Sequence, residues 1–169
     1  MLRLAGIIDA VNRRIGHVTA WLAFGLVLAE FAVVVLRYVF GIGLISLQEA
    51  AVYQHAFLIT LGAGFALLSD DHVRVDIFYG AMSARRRAMV DLFGVIFLLL
   101  PFCGVLWVYA FPYVAQSWRI LEGSRESSGL PILYILKTGI LAFAVLLALQ
   151  AVSLAIRSMA VVVKRTASR

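Results

Sequence analysis

Apolar residues gather into four runs along this chain, about 17–39, 47–68, 88–109 and 132–156, with most of the charge collected between them. A helix needs about 20 predominantly apolar residues to cross a hydrocarbon core of about 30 Å. Each run meets that length, so the pattern predicts an all-α integral membrane protein with four spanning helices. Ahead of the first run, Leu4, Ile7, Ile8, Val11 and Ile15 recur at spacings of three and four. Arg3, Asp9, Asn12 and Arg13 take the other side, which predicts a short amphipathic helix over 2–15 lying in the membrane interface. The first run is too long for a signal-peptide core and has no convincing cleavage site after it.

Breaks in the pattern set the connections. Gly41 and Gly43 mark a turn between Arg37 and Ser46. The second run opens on Gln48 and Glu49, carries Gly62, Ala63, Gly64 and Ala66, and breaks at Ser69-Asp70-Asp71. Val73, Val75 and Ile77 then alternate with His72, Arg74 and Asp76 in a loop that closes at Arg85-Arg86-Arg87. Pro101 is expected to kink the third span, and Pro112 to mark its end. Trp107, Tyr109, Tyr113 and Trp118 form an aromatic belt there. Gly129-Leu130-Pro131 precedes the fourth span, and a basic tail runs from Arg157 to Arg169.

Composition sharpens this picture. Hydrophobic residues are 63% of the chain and charged ones 14%, with a mean hydropathy of +0.99. A soluble domain would need far more polar surface, so the whole chain 1–169 is expected to form a single membrane domain among lipids. The net charge of +6 sits in flanks of apolar segments rather than in a stripe, which argues against nucleic acid as a partner. Eleven Lys and Arg lie in the N-terminal segment, the second loop and the tail, against four around the first and third loops. Cytoplasmic segments hold the positive excess, so both termini are expected in the cytoplasm. Cys103 has no partner cysteine for a disulfide.

Candidate chemistry is sparse. There is no phosphate-binding glycine loop and no metal-spaced histidine pair. His17 and His55 are expected at depths about 20 Å apart, too far to share a haem, and His72 lies in a loop. No cofactor is expected. Glu30 is a carboxylate inside a span, a candidate proton or cation site by default. The alternative is a structural role, bonding a neighbouring helix or a partner subunit, and it is the favoured reading. Glu49 fits the first turn of its helix, where a carboxylate complements the dipole. The His72–Asp76 block and the SWRILEGSRESSGLP stretch, with Glu122, Arg125 and Glu126, read either as solvated loops or as docking surfaces.

Several of these residues together resemble the small membrane subunit of tripartite ATP-independent periplasmic (TRAP) transporters. They are Arg37-Tyr38-Val39-Phe40-Gly41, Glu49, Gly62 followed by His72-Val73-Arg74-Val75-Asp76, and Ser117-Trp118. Glu122, Ser124, Gly129-Leu130-Pro131, Lys137 and Gln150 complete the set, which spans Arg37 to Arg157. Gln48 and Ala50 depart from the pattern, where family members often have Trp and a second Glu. The resemblance implies a non-enzymatic scaffold in the bacterial inner membrane. Its partners would be a large polytopic membrane subunit that moves an organic acid with a sodium gradient and a periplasmic substrate-binding protein that delivers it. Docking would involve Arg37, Glu49, His72, Arg74, Asp76, Ser117, Trp118, Glu122, Ser124, Arg125, Glu126, Pro131 and Lys137. Two other classes stay open: a self-sufficient homodimeric proton-coupled transporter using Glu30, and a membrane anchor for a different complex.

Overall fold

The computed structural model describes residues 1–69, 79–80 and 82–164. His72, Arg74 and Asp76 lie outside the described residues. Four helices are long and apolar enough to cross a membrane. We label them α1 (Leu2–Val39), α2 (Ile45–Leu68), α3 (Ala84–Arg119) and α4 (Leu133–Lys164). No strand occurs among the described residues.

The bundle is built around α4, which packs against each of the other three. Its most apolar window is 39% buried, against 11–17% for the others. In lipid there is no hydrophobic drive for helices to associate, so close contact of small residues and polar bonds must hold them. The interior follows that rule: Ala51, Ala144, Ala151 and Ser153 are nearly inaccessible. Gly64 of α2 lies so close to α4 that an added Cβ would sit 3.1 Å from the Leu146 carbonyl oxygen. Large side chains such as Trp21, Phe24, Phe31, Phe97 and Leu98 point outward.

Two expectations about helix ends are revised. Residues 2–15 do not form a separate short helix but run straight into the first span, as one helix of 38 residues, about 57 Å long. Its apolar stripe stays mostly outward, as beside lipid, and what differs is that Asp9 and Asn12 of the polar side turn inward. Ala5, Ile8, Asp9, Asn12, Gly16 and Thr19 are buried, while Leu4, Ile7 and Val11 are exposed. Beside lipid, polar groups need internal partners and apolar ones do not.

Pro112 does not end the third span, because α3 continues through it to Arg119. The adjustment around Pro101 comes before it, in a π-helical turn over Val95–Leu99 where the Leu100 N–H bonds the Val95 carbonyl. That wide turn accommodates a residue that has no N–H to donate.

Two polar ties at opposite ends of the bundle

At the turn between α3 and α4, a short loop is folded onto the start of α2. Leu121 adopts a left-handed backbone (φ 45°) where α3 stops. The Glu122 N–H bonds the Ser117 carbonyl at 3.0 Å, and the Tyr134 N–H bonds the Glu122 carbonyl at 3.2 Å. Inside the loop, the Ser124 N–H reaches the Leu130 carbonyl at 2.9 Å and the Gly129 N–H the Glu126 carbonyl at 3.1 Å. The centre of this arrangement is Glu49. Its carboxylate accepts from the Leu130 N–H at 2.6 Å and from the Ser124 hydroxyl. Gly129 fits because a Cβ there would lie 2.7 Å from Glu49 Oε2.

Lys137 on α4 pairs with Glu122 and lies 4.1 Å from the centre of the Tyr113 ring. Trp118 donates its indole N–H to the Thr138 hydroxyl at 2.8 Å and stacks edge-on against Tyr134, with centroids 4.7 Å apart. The Glu122 carboxyl is held below its ordinary value, first by the Lys137 hydrogen bond and then by Ser117. Ser117 is buried, and its hydroxyl acts on Glu122 without meeting full hydrogen-bond geometry.

The structure thus brings Glu49, Ser117, Trp118, Glu122, Ser124 and Lys137 into one assembly. Arg125, Glu126 and Pro131 stand exposed on its outer side. Arg37 is exposed at the end of α1 and makes no bond within this group among the described residues. Glu30 is exposed on the outside of α1.

A second tie, at the other end, was missed from sequence. Asp9 on α1 accepts from the Ser153 hydroxyl at 2.6 Å and from the Gln150 amide at 3.0 Å, and it pairs with Arg157. Asn12 donates to the Gln150 side-chain oxygen at 2.8 Å. Asp9, Asn12, Gln150 and Ser153 are all buried. A signal was present: Asp9, Asn12, Gly16 and Thr19 form a polar and small stripe at helical spacing on α1. Among the described residues, no group of three His, Cys, Asp or Glu side chains is placed to hold a metal ion.

These features define a four-helix integral membrane protein whose polar interior is devoted to tying its own helices and one loop together. Residues 26–161 match the family model for the DctQ component of tripartite ATP-independent periplasmic transporters, and the chain belongs to that family. It is also 29% identical over 96 residues to the C4-dicarboxylate TRAP transporter small permease protein DctQ of Vibrio cholerae. That match covers 54% of this chain and 41% of the relative. No solved structure matches. The resemblance drawn from sequence is therefore upheld, and the protein is a multi-pass membrane subunit of a transporter family.

Proposed function

We propose that this chain is the scaffold subunit of a sodium-coupled importer in the bacterial inner membrane. A periplasmic binding protein would deliver an organic acid to a large polytopic subunit, and this chain would hold that subunit's static part. The observation that carries the reading is the use of the carboxylates at the two ends. Asp9 and Glu49 both bond within the chain, which suits a rigid body that presents surfaces. A carboxylic acid is the substrate class in keeping with the Vibrio cholerae relative, a C4-dicarboxylate transporter subunit. On this reading the subunit catalyses nothing and contributes no ion-coupling group.

With both termini in the cytoplasm, the Glu49 assembly faces the periplasm and the binding protein. Reporter fusions after Arg87 and Arg169 then give cytoplasmic signals, and one after Ser128 a periplasmic signal. A periplasmic tail reverses the orientation of every docking surface. Docking of the His72–Asp76 block is tested by Arg74→Ala and Asp76→Ala, with co-purification of the large subunit measured in mild detergent. Truncating one member of a desolvated charged pair costs about 2–5 kcal/mol, and each 1.4 kcal/mol or so is about tenfold in yield. Full recovery of the large subunit with both residues replaced removes the block from the interface. Glu30→Gln is expected to leave the sodium dependence of uptake intact, and its loss at normal complex yield favours the small proton-coupled transporter instead.

A further inference from the structure

Glu30 stands apart from the other carboxylates on the described helices. Asp9 has Ser153, Gln150 and Arg157; Glu49 has Ser124 and Leu130; Asp91 accepts from the Tyr79 hydroxyl at 2.8 Å. Among the described residues no hydrogen bond or ion pair reaches Glu30. Its surroundings on α1 are apolar and open: Val27, Phe31 and Val34 are each at least half exposed. The carboxylate therefore faces whatever surrounds the bundle.

Its depth makes that position costly in lipid. Arg14 and Arg37 flank the apolar stretch of α1, and apart from His17 the only ionisable residue between them is Glu30. At 1.5 Å per residue, Glu30 lies about 10 Å from the level of Arg37 and about 24 Å from that of Arg14. A glutamate side chain is too short to cross that distance to water. Ionisable groups inside a membrane face a partner or an aqueous cavity rather than acyl chains.

We infer that the α1 face around Glu30 seats a transmembrane helix of the large subunit, which brings a Lys or Arg side chain to the depth of Glu30. The inference rests on the scaffold reading above and gives it a place and a chemistry. A cation is the complementary group for an exposed carboxylate in low dielectric. A second copy of this chain is a poor fit, because a symmetric interface on this face brings like patches together and sets Glu30 against Glu30. The family match supplies the remaining support, since its members are components of a multi-part assembly.

The test keeps Glu30 intact in one arm and changes it in the other. The chain is co-expressed with the large subunit of its own transporter. A photo-reactive amino acid then replaces Val27 or Val34, beside Glu30 on the same face. Both positions are expected to form adducts with the large subunit. In the second arm, Glu30→Leu is expected to lower the yield of the complex at least about tenfold, with Glu30→Gln between it and the wild type. The amount of this subunit in the membrane should stay unchanged. A Lys or Arg changed to Glu in the adducted helix of the large subunit should restore the yield of Glu30→Lys.

Adducts between two copies of this chain overturn the inference in favour of a homodimer. So does a wild-type complex that yields no adduct at these positions, or a Glu30→Leu chain that recovers the large subunit in full. In those cases the scaffold reading survives with another face as its interface. Failure of the wild-type chain to bring down the large subunit at all defeats the scaffold reading itself, and this inference with it.

Discussion

The two ends of the bundle use a carboxylate in opposite ways. Asp9 is sealed between α1 and α4, and its partners are side chains: Ser153, Gln150 and Arg157. Glu49 is half-buried at the start of α2 and reaches a loop, with the Leu130 backbone N–H as one partner and Ser124 as the other. The first tie fixes helix to helix. The second fixes a loop in shape while leaving its outer residues, Arg125 and Glu126, open. A polar group surrounded by protein loses its full solvation when its partners go, whereas one at the rim regains water. The difference teaches that the Asp9 end sets stability and the Glu49 end sets the form of a surface.

The largest effect should come from breaking the sealed end. Asp9→Ala leaves the buried Gln150 and Ser153 without their shared acceptor and frees Arg157. Because the Arg157 side chain is 55% exposed, the expected loss is about 2–3 kcal/mol, at or below the foot of the range for a fully buried pair. Thermal unfolding of the purified subunit in mild detergent measures it. Arg157→Ala should cost clearly less, since Asp9 keeps two donors. Equal losses for the two variants would show that the ion pair, not the side-chain network, is the tie.

Next in size is packing at the same end. A Cβ on Gly64 would meet Asn12 Cγ at 3.0 Å and the Leu146 carbonyl at 3.1 Å. Overpacking of a tight interior costs about 1–3 kcal/mol, and Gly64→Ala should fall in the middle of that range by the same unfolding measurement. Gly62, on the same helix, has nothing within 4 Å of the equivalent position. Gly62→Ala is therefore the control, and a similar loss there would mean that helix propensity or backbone freedom is being read instead of packing.

The Glu49 end should respond in shape more than in stability. Glu49→Ala removes the acceptor for the Leu130 N–H, so amide exchange at Leu130 and Ser124 should accelerate. Amides in the middle of α4 should keep their protection. Ser124→Ala is expected to do less, because the bond to Leu130 remains. Faster exchange throughout α4 in Glu49→Ala would erase the distinction between the two ends.

Much of this architecture was legible in the chain itself. The four apolar runs found the four helices, and the polar entrance at Gln48 and Glu49 found the start of α2 near Ile45. Glu122 and Lys137 were singled out and do pair. What the pattern did not reveal in these pairings has two physical causes. One is partnering: Asp9 and Asn12 read as the polar side of an interfacial helix, yet both are buried and bonded to Gln150 of α4, because polar groups beside lipid need internal partners. The other is range. Ser124 and Glu49 are 75 residues apart and Asp9 and Ser153 are 144 apart, and no local periodicity carries such pairings. Pro112 shows a third limit, since a proline inside a membrane helix need not stop it when neighbouring groups satisfy the freed carbonyl.

The smallest effect concerns the pair that closes the loop from the α4 side. Glu122 has its pKa lowered from the ordinary 4.5, chiefly by the Lys137 hydrogen bond, so its folded form prefers to stay ionised. A carboxylate with a depressed pKa stabilises the fold fully above its unfolded value and loses that contribution as pH falls through the lowered one. The pair should therefore hold the loop unchanged from neutral pH down to about 4.5 and release it progressively below that. The measurement compares the wild type with Glu122→Gln, following loop amide exchange across that range. The two should differ at neutral pH and converge in acid, where protonated glutamate and glutamine are alike in charge. Lys137 also lies over the Tyr113 ring, so its side chain keeps one partner when Glu122 is lost, and the change should remain confined to the loop. A difference that persists undiminished into acid would mean that the charge on Glu122 does not control the contact.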